Sequence, residues 1–103
     1  MRTLLVSLGL LLAIPAHADA PVLKGTYGWD YMKPKASKCT KVTATLATKM
    51  KKYDCTVPDK GSTASGKDAV ADCKNKKGDD GYLFFDKLAD CNKERETQLA
   101  NAE

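Results

Sequence analysis

Four cysteines, Cys39, Cys55, Cys73 and Cys91, constrain this chain more than any other feature. Their separations of 16, 18 and 18 residues contain no CxxC and no CxxCH. Thioredoxin-type redox chemistry and covalent haem attachment therefore lack their motifs. Zinc sites group their ligands in pairs about two to four residues apart, and these thiols are isolated. Scattered cysteines of even number suit instead a small fold that cannot bury enough apolar surface by itself. The sequence predicts two disulfides, no metal site and no cofactor.

The N-terminus gives the chemistry of its destination. Met1 and Arg2 precede an apolar run over 4–14, Pro15 breaks that run, and Ala16-His17-Ala18 follows. This is the layout of a secretory signal peptide. The apolar run is far shorter than the roughly 20 residues a spanning helix needs, so no stable membrane anchor is expected. The reading is a leader over 1–18, removed after Ala18, and one domain over 19–103, exported to the periplasm or the exterior. Loss of the leader takes Arg2 and His17 with it. The remaining chain has 16 basic and 13 acidic residues and no histidine.

That absence weighs against catalysis. Histidine is the usual general base and nucleophile activator, and bridged cysteines are not nucleophiles. Asp79 and Asp80 lie between Gly78 and Gly81, where turn formation alone accounts for them; an apolar run follows, which breaks a calcium-loop pattern. Glu94 and Glu96 are two residues apart on a predicted helix and diverge. The run from Gly61 to Lys67 ends in Gly-Lys but lacks the following Ser or Thr of a phosphate-binding loop. The expectation is no enzyme. A small histidine-free hydrolase built on carboxylates is the remote alternative.

Hydrophobic spacing reads as a mainly helical domain. Cys39, Val42, Leu46, Met50 and Tyr53 fall on one helical stripe, predicting a helix over 37–53. Val42, Ala44 and Leu46 also alternate with Thr43, Thr45 and Ala47, a strand pattern that is shorter. A Pro- and Gly-punctuated loop covers 54–66. Ser65 and Asp68 resemble a cap for a short helix to about Lys77, burying Ala69, Val70 and Cys73. The apolar run 82–85 fits a strand or the first turn of the last helix; the strand is preferred, since Asp86 or Asp90 then caps a helix to about Ala100 with Leu88, Cys91, Arg95 and Leu99 on one stripe. The predicted class is a small disulfide-stabilised mainly-α domain of about three helices. Its α+β variant has a short two-stranded element around 27–32 and 82–85. Ala-Asp-Cys recurs at 71–73 and 89–91, too little to establish a repeat.

Cysteines bracketing a long helix cannot meet, since a disulfide needs Cα atoms within about 7 Å. This excludes Cys39–Cys55, and with it Cys73–Cys91. Three helices running up, down and up favour the crossed pairing, Cys39–Cys73 with Cys55–Cys91. Pairing of the segments around Trp29 and Phe84 would favour the nested one, Cys39–Cys91 with Cys55–Cys73.

Charge is uneven. Residues 19–60 carry nine lysines and four aspartates, whereas 61–103 carry seven basic and nine acidic residues. Trp29 and Tyr31 with Lys38, Lys41, Lys49 and Lys52 form the candidate binding surface. It suits an acidic protein patch or an anionic envelope polymer. In the competing reading the rings are core and the lysines only keep a helix soluble. Sequence-specific nucleic-acid recognition is not expected, because Arg95 is the one arginine left after export and lies outside the basic half. The expected function is a monomeric, non-catalytic binding or inhibitory module. A weakly cationic secreted toxin is the alternative, weakened by the near balance of acids and bases.

Overall fold

Tyr27-Gly-Trp-Asp30 alternates large and small side chains and forms strand β1 (Tyr27–Asp30). In this computed structural model, which describes residues 22–102, β1 is one of five strands. The others are β2 (Thr40–Lys41), β3 (Asp54–Thr56), β4 (Ala71–Lys74) and β5 (Gly81–Phe85), with helices α1 (Ala44–Met50) and α2 (Leu88–Asn101). The predicted leader over 1–18 lies outside the described residues. All pairings are antiparallel, and the strand order is β2-β1-β5-β4-β3.

Alternation along the central strands builds a core on each face of the sheet. Trp29, Leu83 and Phe85 cluster with Ala69 and with Cys91 of α2. Phe84, Ala71 and Cys73 turn the other way and cluster with Leu23 and with Met50 of α1, flanked by Leu46, Tyr53 and Tyr82. The register places Gly28 opposite Phe84, where a Cβ would stand 2.5 Å from the ring. The missing side chain is the space that admits Phe84.

The chain is not mainly helical. Segments 27–32 and 82–85 do pair, from Tyr27↔Phe85 to Asp30↔Tyr82, but within a five-stranded sheet rather than as an isolated pair. The helix expected over 37–53 contracts to Ala44–Met50: Thr43 caps it by accepting from the Leu46 amide, and Thr40 and Lys41 pair with β1 instead. The helix expected to reach Lys77 does not form. Ala71 and Cys73 are buried and Lys74 exposed, a strand alternation on β4. Ala69, Val70 and Cys73 also fit a helical stripe, the usual ambiguity of a short apolar run. Ser65 caps no helix; its hydroxyl accepts from the Lys67 amide, while Asp68 accepts from the Gly61 amide. The last helix is present, although Lys87 at its N-cap makes no side-chain cap bond. The repeated Ala-Asp-Cys is strand at 71–73 and helix at 89–91.

The disulfides are nested, Cys39–Cys91 and Cys55–Cys73, not crossed. The crossed arrangement depended on a three-helix path that the chain does not take. Cys55 and Cys73 are directly opposed on β3 and β4, so the ladder itself brings them together. Cys39 reaches α2 because the segment returning from β1 to β2 is tied to that helix: Arg95 Nε donates to the Ser37 carbonyl at 2.9 Å. No cysteine among the described residues is free. Disulfides of this kind persist in oxidising compartments, and no helix among the described residues is long and apolar enough to cross a membrane.

Candidate functional site

The structure separates the rings and lysines that the sequence grouped together. Trp29 is 0% exposed and is part of the core, with its indole N–H directed at the Pro34 carbonyl at 3.5 Å. It cannot be presented to a partner. Tyr31 is half-buried, and its hydroxyl donates to Asp72 Oδ1 at 2.7 Å. Burial first, then the Asp72 hydrogen bond and charge and the Asp30 charge, push its phenol far above the ordinary value. Tyr31 is therefore a brace between β1 and β4.

The four lysines are all exposed, but they do not form one helical stripe. Lys38 precedes β2, Lys41 is on β2, Lys49 is in the last turn of α1 and Lys52 follows that helix. Lys51, which the helical spacing passes over, is the C-cap of α1 and is also exposed. Lys49 has a defined seat. Its ammonium lies 5.9 Å from the centroid of the Tyr53 ring and 5.6 Å from that of Tyr82, within the range of a cation–π contact. The two rings are themselves 6.4 Å apart and tilted by 59°, and Tyr82 stacks at 6.0 Å on buried Phe84. A buried ring thus supports a surface pair of tyrosines, which carries a lysine.

Asp80 fixes this arrangement from the β4–β5 turn. It pairs with Lys33 and accepts from the Tyr53 hydroxyl at 3.0 Å. The Lys33 hydrogen bond, then that of Tyr53, holds its carboxyl below the usual carboxylate range. Burial raises the Tyr53 phenol, and the Asp80 hydrogen bond adds to this. For Lys49, burial pulls the ammonium down, but Tyr82, Tyr53 and Asp80 outweigh it and the net displacement is upward. The turn is held by Asn75, whose Oδ1 accepts from the Gly78 and Asp80 amides at 2.9 and 3.1 Å. Sequence reasoning missed Tyr82, Asp80 and Lys33. Tyr82 opens the apolar run 82–85 and shares its face with buried Phe84, so nothing local marked it as a surface ring, and nothing local linked positions 33, 53 and 80.

On the opposite face, α2 packs over β1 and β5, and Asp54, Thr56, Asp72, Lys74, Asn75 and Lys76 line a shallow open polar cleft along β3 and β4. Among the described residues no three His, Cys, Asp or Glu side chains group as metal ligands. The predicted stripe of α2 is also revised. Glu94 is 1% exposed, while Leu88 is 43% exposed and Arg95 donates to backbone carbonyls rather than to an acid. Comparison with known protein families, curated proteins and solved structures finds no match to this chain.

Proposed function

We propose that this protein is an exported, non-catalytic binding domain that holds an anionic envelope polymer on the surface formed by α1, its C-terminal lysines and the Tyr53–Tyr82 pair. The observation that carries the reading is the seat of Lys49 on two tyrosine rings, next to exposed Lys51 and Lys52. From Lys41 to Tyr53 the chain has four lysines and no acidic residue; Asp80 sits beside Lys49 and Tyr53 but is paired with Lys33, so the surface keeps a positive balance that attracts anions. The two tilted rings add apolar surface against which a sugar or other flat group packs, with the lysine stems covering its margin. The binding role replaces the one first assigned to Trp29, whose burial removes it from the surface. Export rests on the N-terminal layout and fits the two disulfides; the non-catalytic reading rests on a secreted segment without histidine.

The test is binding of the oxidised protein to a polyuronate and to a polyphosphate at low and at high salt. Binding at low ionic strength that weakens steeply as salt rises supports the proposal, because exposed charges are screened beyond about 10 Å at 0.1 M salt. Absence of binding to either polymer at low salt overturns it.

A further inference from the structure

Residues 57–68 form an exposed loop between β3 and β4 with an unusual attachment. Most of its hydrogen bonds are internal. Asp68 accepts from the Gly61 amide, the Ser62 hydroxyl donates to the Asp59 carbonyl, and that of Thr63 donates to the Lys67 carbonyl. The Gly66 amide donates to the Thr63 carbonyl, and Gly61 and Gly66 take positive φ to close these turns. Among the hydrogen bonds of the described residues, two link the loop to the rest of the protein, and both end on one carboxylate. The Ala64 and Ser65 amides donate to Glu94 Oε2 and Oε1 at 3.2 and 2.8 Å. The base of the loop is closed independently by Cys55–Cys73.

Glu94 is buried without a cation. Gln98, one turn on, donates to its Oε2 at 2.6 Å. Asp90 lies one turn before it, and Arg95 is engaged with the Ser37 and Lys35 carbonyls. The charged residues of the loop, Asp59, Lys60, Lys67 and Asp68, are all exposed, and both ion pairs among the described residues belong to Lys33. From the sheet side the neighbouring cluster is apolar, made of Trp29, Leu83 and Phe85 with Ala69 at the end of the loop. The carboxylate is therefore held by hydrogen-bond donors and no cation: the Ala64, Ser65 and Gln98 N–H groups, with the Ser65 side chain adding to them, and the negative, acceptor-only form suits all of them best.

We propose that loop 57–68 is an acid-released strap: protonation of Glu94 detaches Ala64 and Ser65 from α2, and the loop swings away on its disulfide-closed base while the sheet stays folded. Protonation turns one of the two oxygens into a hydroxyl, which sets a hydrogen against the donors already there and accepts more weakly, and it removes the negative charge that strengthens every one of these bonds. An unpaired amide cannot stay buried without cost, and the exposed loop has water available. The nested disulfides keep β3, β4 and α2 in place, confining the change to the loop. Burial raises the Glu94 carboxyl, but the Ser65, Gln98 and Ala64 hydrogen bonds outweigh it, and the net displacement is below 4.5. The closed form thus holds at neutral pH and gives way in acid. The inference does not depend on the polymer reading.

The experiment is an amide and carboxyl NMR titration of the oxidised protein from neutral pH downward. The expected result is that the Ala64 and Ser65 amide resonances move upfield together with the titration of the Glu94 side chain, while Cys73 and Phe84 amides hold their positions. Gln98→Ala, which removes one donor and no fold element, moves that midpoint up by about one pH unit. Glu94→Gln places the two amides near their released positions already at neutral pH, without a titration. Two results overturn the proposal: Ala64 and Ser65 amides that stay fixed while Glu94 titrates, or a shift of those amides only together with loss of the sheet resonances. The wild-type titration and Gln98→Ala decide the matter even if Glu94→Gln fails to fold.

Discussion

Gly28 and Phe84 face each other across the β1–β5 ladder, and the Phe84 ring occupies the volume that any side chain at position 28 would need. Phe84 is 0% exposed and links Ala71, Cys73 and Met50 in one cluster, so the ring has nowhere to go. Gly28→Ala is expected to lower stability by about 1–3 kcal/mol, the usual cost of overpacking a filled core. Urea unfolding measures this. With Phe84→Leu in the same chain the loss should be smaller than the sum of the two single losses, as expected for residues in contact.

The two disulfides stabilise unequally. Cys39–Cys91 spans a sequence separation of 52 and Cys55–Cys73 one of 18. The loop-entropy relation gives about 4 kcal/mol for the first and about 3 kcal/mol for the second. Replacing Cys39 and Cys91 by alanine should therefore lower the urea midpoint more than replacing Cys55 and Cys73. The second bridge joins residues that the β3–β4 ladder already holds opposite each other. Proteolysis without reductant should release peptides joining 39 to 91 and 55 to 73; a peptide joining 39 to 73 would contradict the fold.

Tyr31 donates to Asp72 across the sheet, and its phenol is displaced upward from 10.0. A raised folded value means that the contribution is fully present below pH 10.0 and fades as pH rises, because the unfolded chain ionises there first. Tyr31→Phe keeps the ring that packs over Gly81 and removes the hydrogen bond. At neutral pH it is expected to cost about 1.5 kcal/mol, the lower end for a bond to a charged group because Asp72 is partly hydrated. The difference between wild type and Tyr31→Phe should shrink steadily above pH 10.0 in unfolding experiments.

The C-terminal segments were legible, although the short apolar run 82–85 also fits the first turn of a helix. The run Tyr82 to Phe85 and the last helix lie within two residues of their expected bounds. The middle of the chain was not. Cys39, Val42, Leu46, Met50 and Tyr53 fit a helical stripe, yet they contribute to four successive pieces, because Thr43 starts a helix late and Lys51 ends it early. Only strand pairing with β1 and β4 decides that division, and pairing partners are remote in sequence. The proposed binding surface was half legible for the same reason. Lys49 and Lys52 announced themselves by charge, whereas Tyr82 and Asp80 join them only after β5 returns beside β4. Burial of Glu94 was hidden by its type, since a carboxylate without a cation is a poor candidate for a core position.

The most direct measurement is chemical-shift mapping of the oxidised protein with a soluble polyuronate at low salt. Perturbations are expected at Lys49, Lys51, Lys52, Tyr53 and Tyr82, with at least tenfold weaker binding when Lys49, Lys51 and Lys52 are all changed to Gln and the fold is retained. Perturbations confined to α2 or to the β3–β4 cleft, or undiminished binding by the triple variant, would contradict the assignment of this surface.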